Sequence, residues 1–424
     1  MSGLPLLVVQ HPLGGERPEA VTRRAHQALE QLASLLATGA SVVSGAPRPV
    51  STEGGLREEP GAPTRPPSPG AAMLGTPTRA ITDAPDGPDL LLPYDPQEIF
   101  AEFCARQWCD GLPIIPPTPE RVQAVLAGAP AERVLGALPP LWREATLEKL
   151  AVNAVMAGCE PAAFPVIVAA VQAMLDPAFN LYGVQATTHP VAPLVIVHGP
   201  LAAAIGVHAG SGCFGPGFRA NATIGRALRL ILMNVGGAWP GRHDMATQGS
   251  PAKFTYCVAE RADAPWKPLR EDNAVTVFGG EPPHNVNDHV STTAAGILAT
   301  VADTAVSLGS NVGWFLAQSQ LLIVLGPEHA ATIAGDGLTR ADVQRYIFEH
   351  ARLPLRTLKL GGMWGMQDWP AWMNAARDDE ALLPQVSSPD DVFVIVAGGP
   401  GKHSSVVPNC TFSRAVSRPI APLG

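Results

Sequence analysis

Charge is scarce in this chain. Asp, Glu, Lys and Arg supply 16% of its 424 residues and aromatics 6%, against 46% hydrophobic residues. Most of it is therefore expected to be globular, in two or three domains with a large core. The balance of charge is acidic, with a formal net of -8, which argues against nucleic acid or an anionic membrane surface as the main partner. No apolar run reaches the length of a membrane span, and the N-terminus lacks a signal-peptide pattern. The six cysteines are widely scattered and no C-x-x-C occurs, while Cys104 and Cys109 are too sparse a pair for a zinc ribbon. A reduced, cytoplasmic protein is the expectation. No H-x-H or H-E-x-x-H spacing stands among the histidines, so no metal site is expected.

Proline and glycine, in contrast, are abundant at 44 and 42 residues, and they are unevenly spread. Residues 39–89 are rich in Pro, Gly, Ala, Ser and Thr and have almost no large apolar side chains. Such a segment cannot bury enough surface to offset its ordering entropy, which predicts a mobile tether. Ahead of it, residues 1–38 read as a buried strand (Leu6–Gln10) and a helix (Pro18–Ala37) with Leu29, Leu32 and Leu36 on its apolar side. One strand and one helix make no core, so this fragment must pack on something else.

Residues 90–424 read as the main domain. Helices are expected over Pro96–Trp108, Ala145–Ala157, Ala162–Leu175 and Thr292–Leu308, and a fully buried strand over Pro193–His198. The strand and its Gly199-Pro200 are echoed by Leu322–Leu325 with Gly326-Pro327, and Val392–Ala397 is read as a third strand-plus-turn. The fold class expected is α/β: two related strand–Gly-Pro–helix lobes packed as one main domain, preceded by the strand–helix fragment.

The chain is organised around Gly206–Gly237. A glycine-rich loop, read neither as a P-loop nor as a dinucleotide fingerprint, feeds a helix over Arg219–Val235. A helix start favours an anion, Arg219 and Arg226 add positive charge, and Asn221 is placed to cap the first turn. Gly215, Gly217, Arg219, Asn221 and Arg226 are thus candidate substrate-binding residues. Lys402 and His403 join them from a second glycine loop, Gly398–Ser405, which is expected to face the first. Cys213 lies just before the helix start, where a thiolate is favoured; it stands with His189 and His243 as the catalytic candidates. The wider set of polar residues in glycine-rich turns includes Asp244, His284, Asn287, Asp288, His289, Glu328 and His329. The residues name no cofactor and leave oligomeric assembly open.

The runs CDGLPIIPPTPERV, ATLEKLAVNAVMAGCEP, GPGFRANATIGRALRLILMNVGG and VIVAGGPGKHS resemble the C-terminal region of the UGSC family of (seleno)proteins, over nearly all of Leu90–Leu423. LLVVQHPLGGERPEAVTRRA is similar to the last strand and helix of that family's other domain, which carries a selenocysteine-or-cysteine-Gly-Ser-Cys motif. No Cys-Gly-Ser-Cys occurs in this chain. The resemblance implies the substrate-binding part of a thiol- or selenol-dependent enzyme, for redox or C–heteroatom cleavage of a small polar or anionic molecule. The nucleophile would come from a separate UGSC-motif chain, or from sequence encoded upstream of Met1 across a UGA codon. The residues alone also allow a self-sufficient lyase or hydrolase, or a small-molecule binding protein without chemistry.

Overall fold

A computed structural model describes residues 22–23, 25–31, 95–312, 319–360 and 378–423. The chain divides into two units, Met1–Pro93 and Tyr94–Gly424. The strand expected at Leu6–Gln10 and the tether at 39–89 lie outside the described residues. Of the helix expected over Pro18–Ala37, residues 22–23 and 25–31 are helical, with Leu29 exposed.

The second unit opens with α1 (Pro96–Ala105), whose Asp95 cap accepts the N–H groups of Gln97 and Glu98, and α2 (Pro119–Leu126). A small hairpin follows, β1 (Val134–Leu138) with β2 (Arg143–Thr146). Thr146 then caps α3 (Leu147–Ala157), and Gly158 ends it in the left-handed region at φ +87°. Two almost purely apolar stretches make α4 (Phe164–Met174), buried along its length, and the short α5 (Leu181–Ala186). No single helix among the described residues is long and apolar enough to cross a membrane.

Two four-stranded sheets form the body. The first is built from β3 (Ala192–His198), β4 (Cys257–Ala259) and β5 (Ala274–Gly280); β6 (His284–Asn287) belongs to the second. The second also contains β7 (Leu321–Leu325), β10 (Val392–Val396) and β11 (His403–Pro408), while β12 (Val416–Pro419) returns to the first. A minor pair, β8 (Arg352–Pro354) and β9 (Leu382–Pro384), stands apart from both sheets.

Strand order is β12-β5-β3-β4 in one sheet and β6-β11-β7-β10 in the other. In each, the inner apolar strand (β3 or β7) has a parallel neighbour on one side and an antiparallel neighbour on the other, and the latter carries an antiparallel edge strand. The likeness of the β3 and β7 sequences therefore extends to their pairing. Val392–Ala397, expected to be a third strand-plus-turn, is a strand followed by the Gly398–Gly401 turn, and it lies as the parallel neighbour of β7, the place β4 takes beside β3. The edge strands are crossed over: β6 follows β5 in sequence but joins the second sheet, and β12 follows β11 but joins the first.

Alternation along each strand gives both sheets two apolar faces. Leu194, Ile196, Val258 and Phe278 from the first sheet share one core with Leu322, Val324, Ile395 and Val407 from the second. The other face of the second sheet packs on α8 (Ala294–Ala305), α9 (Pro327–Gly335) and α10 (Arg340–His350). The other face of the first meets α4, and α7 (Arg219–Asn234) packs on α3, α4 and β4. The layers run helix, sheet, sheet, helix.

Candidate functional site

The two glycine loops meet where the sheets face each other. The first descends from the short α6 (Pro200–Ala204) to α7, and the second turns from β10 into β11. The N–H of Gly398 donates to the carbonyl of Ala209 at 2.8 Å. A Cβ on Gly399 would stand 1.7 Å from the Ser211 hydroxyl oxygen, so only glycine permits this approach. Between the loops lies a cleft of about 310 Å³, walled by Ser211–Phe214 on one side and by Gly398–Gly401, His403, Ser405 and Asn285 on the other.

Asn221 shapes the first wall, though not as a helix cap. It is the third residue of α7, the cap position is Phe218, and no side chain caps that end. Its buried amide nitrogen lies within hydrogen-bonding distance of the carbonyls of His208, Cys213 and Cys257, and its Oδ1 accepts the N–H of His208 at 2.7 Å. His208 stacks on Phe218 with ring centroids 3.5 Å apart, which closes the loop on itself.

The other wall is held from behind. The Nε2–H of His329 donates to the carbonyl of Asp288 at 3.0 Å, which leaves Nδ1 to accept the Ser404 hydroxyl at 2.8 Å. Ser404 Oγ in turn accepts the N–H of Gly326 at 3.1 Å. Burial works to raise the Asp288 carboxyl, but hydrogen bonds from Ser291, Thr300 and Val290 outweigh it and hold the pKa at about 2. These contacts fix β11, and β11 presents His403 at the cleft. There Asn285 Oδ1 accepts Nδ1–H of His403 at 3.0 Å, and His403 Nε2 lies 3.1 Å from Nε2 of His289. The two imidazoles share an N–H···N bond along which a proton can pass. Lys402 does not enter the cleft wall; its ammonium donates to the His289 carbonyl.

Several expected residues sit elsewhere. Arg219 pairs with Glu160 at 2.6 Å and donates to the Gly158 carbonyl, and Arg226 forms a two-pronged pair with Asp110 at 2.8 Å. Both cations therefore point to α3 and its neighbours rather than to the loop. Gly215 and Gly217 bend the chain toward α7 beyond the cleft wall. Cys213 does line the cleft, but the helix begins six residues later and burial raises its thiol pKa, so a helix-activated thiolate does not apply. His189 pairs with Glu281 at 3.0 Å and His243 with the Gly237 carbonyl at 3.0 Å, so the three catalytic candidates have separate partners. Gly210, Gly212 and Gly215 do fall at G-x-G-x-x-G spacing, contrary to the reading above. They follow a helical turn rather than a strand and open no helix, so the context of a dinucleotide loop is lacking. Among the described residues no cluster of three or more His, Cys, Asp or Glu is placed to hold a metal.

Asn285 escaped sequence reading altogether. Its placement opposite Ser405 depends on β6 crossing to the second sheet, and no local pattern announces that. No protein-family model matches this chain, and no curated protein does either.

Proposed function

We propose that this chain is the substrate-holding part of an enzyme acting on a small polar or anionic molecule, with the His289–His403 pair exchanging a proton with the bound ligand. One observation carries the reading: an Nε2-to-Nε2 imidazole pair, 3.1 Å long, at the rim of a cleft whose walls are two glycine loops. Imidazoles are the side chains best suited to give and take protons near neutrality. His403 is oriented by Asn285, and His289 sits on a turn beside the 88%-exposed Val290, from which it can yield its place to a ligand atom.

The resemblance to the UGSC family adds a thiol or selenol nucleophile supplied by another chain or domain. Burial raises the thiols of Cys159 and Cys410 to about 12, and partial desolvation with the Cys109 sulfur 3.3 Å away raises that of the exposed Cys104 to about 11. Thiols so raised are poor nucleophiles at neutral pH, which is why the redox group is assigned outside these residues. The imidazole pair also favours a second reading, a lyase or hydrolase that needs no thiol. A library of small polar and anionic molecules, screened for turnover with and without added dithiol, separates the two. His403→Asn and His289→Asn should each abolish turnover while leaving the melting temperature of the free chain within a few degrees. Undiminished turnover in both variants would sink the proposal.

A further inference from the structure

Two turns along α7 from Asn221, a second pocket opens that the glycine loops do not share. Its volume is about 240 Å³, room for roughly eight waters. Arg229, Lys253 and Asp244 supply its charge, and Met233, Pro240 and Phe254 its apolar wall. Arg229 is only 7% exposed. Its Nε donates to the Lys253 carbonyl at 2.8 Å, and its Nη1 lies 3.6 Å from Asp244 Oδ2, too far for a hydrogen bond. Among the described residues neither Nη group has a hydrogen-bond acceptor, and Arg229 lines the pocket. Lys253 spends one of its three donors on Asp244 Oδ2 at 2.7 Å, and Asp244 Oδ1 accepts the N–H of Ala246.

The charges here do not cancel. Asp110, the other acid of the pocket, is already neutralised by Arg226 at 2.8 Å, so Arg229 and Lys253 share the single carboxylate of Asp244. Among the described residues one positive charge is left over, on a buried arginine and a half-buried lysine. An uncompensated buried cation is costly, and an anion of matching charge relieves it. Burial lowers the pKa of both cations, and the neighbouring Arg229 charge lowers that of Lys253 further.

We propose that this pocket is a ligand site for a small monocarboxylate bearing a short apolar tail. The two Nη groups offer the planar fork that a carboxylate fits, the excess of one positive charge matches a monoanion, and the wall of Met233, Pro240 and Phe254 takes a hydrocarbon tail. A phosphate dianion would overshoot the charge and leave the tail wall empty. The site lies about 12 Å from Asn221 along the helix axis, at 1.5 Å per residue, and does not depend on the cleft reading.

Calorimetric titration of the full chain with pentanoate, pentanamide and inorganic phosphate tests this. Pentanoate is expected to bind saturably, with pentanamide and phosphate at least tenfold weaker. Lys253→Gln and Arg229→Lys should each weaken pentanoate by roughly ten- to a hundredfold, the loss expected of one charged hydrogen bond. Melting curves followed by circular dichroism confirm that the variants fold, and Lys253→Gln, the less buried change, serves if Arg229→Lys does not. His403→Asn should leave pentanoate affinity unchanged. Phosphate binding more tightly than pentanoate, no saturable pentanoate binding, pentanoate affinity untouched by Lys253→Gln, or its loss in His403→Asn would each overturn the assignment.

Discussion

At Asn221 the kind of polar group matters more than its size. The amide nitrogen faces three carbonyl oxygens and the amide oxygen one N–H, two of these contacts buried and two, to His208, partly so. Alanine strands those groups, at a cost of about 2–3 kcal/mol. Aspartate should cost more, because it places a second acceptor against three others. Urea unfolding of Asn221→Ala and Asn221→Asp checks the order, and an aspartate variant as stable as the parent would show that the loop relaxes. A second residue sets a pH limb. Burial, reinforced by the Arg270 charge, lowers the pKa of His198 from 6.5 to about 4, and its Nε2 is bonded to the Thr276 hydroxyl at 2.8 Å. The unfolded chain then binds the proton first as pH falls. The stability His198 contributes is present above about pH 6.5 and is lost progressively toward pH 4, up to about 3 kcal/mol. His198→Gln should flatten that limb in melting curves taken across the window. An unchanged slope would assign the acid sensitivity elsewhere.

Among the helices, α7 does most to connect the parts, because its N-terminal turn laces the first glycine loop and its later turns enter the core. Its apolar side was legible in the sequence: of the residues whose spacing places them there, Ile224, Ala227, Leu228, Ile231 and Leu232 are buried and Ala220, in the first turn, is half-buried. Its polar residues were not, since the direction in which Asn221, Arg226 and Arg229 reach depends on neighbours far off in sequence. Gly225 shows the same limit. Helix propensity favours alanine there by about 1 kcal/mol. A Cβ would, however, meet the Thr255 hydroxyl and the Tyr256 backbone nitrogen at 2.4 Å. Thr255 is itself tied to the helix carbonyls of Asn221 and Ala222, so it has nowhere to move. Gly225→Ala should lose up to about 2 kcal/mol net, since overpacking costs about 1–3 kcal/mol against the roughly 1 kcal/mol that propensity returns. At Gly335, the last residue of α9, nothing lies within 4 Å, and alanine should gain about 0.5 kcal/mol. Thermal unfolding of the two variants should shift in opposite directions.

For the whole second unit, the β3 and β7 runs announced an α/β body, since each is a short, uninterrupted apolar strand followed by Gly-Pro and a helix. What the sequence could not announce is the crossing of β6 and β12, because edge strands of four residues carry almost no periodicity. The crossing links the sheets mechanically: neither keeps its full strand complement if the other opens. Backbone amides of β3 and β7 should therefore exchange with deuterium at one common opening free energy under native conditions. Separate values for Leu194–Val197 and Leu322–Leu325 would mean that the sheets unfold independently.

The crossed edges also bear on how the chain is made. During translation β3, β4 and β5 emerge ahead of the second sheet, yet the strand that covers the edge of β5, residues 416–419, follows every strand of that second sheet. Until then the first sheet presents a bare antiparallel edge of Val275 and Val277, a template for pairing with other nascent chains. Of the two four-stranded sheets, the one begun earlier is thus the one completed later. A stop codon between those of Pro408 and Val416 leaves the second sheet its strands and the first without its edge, and holdase chaperones then have their longest window of work on β5.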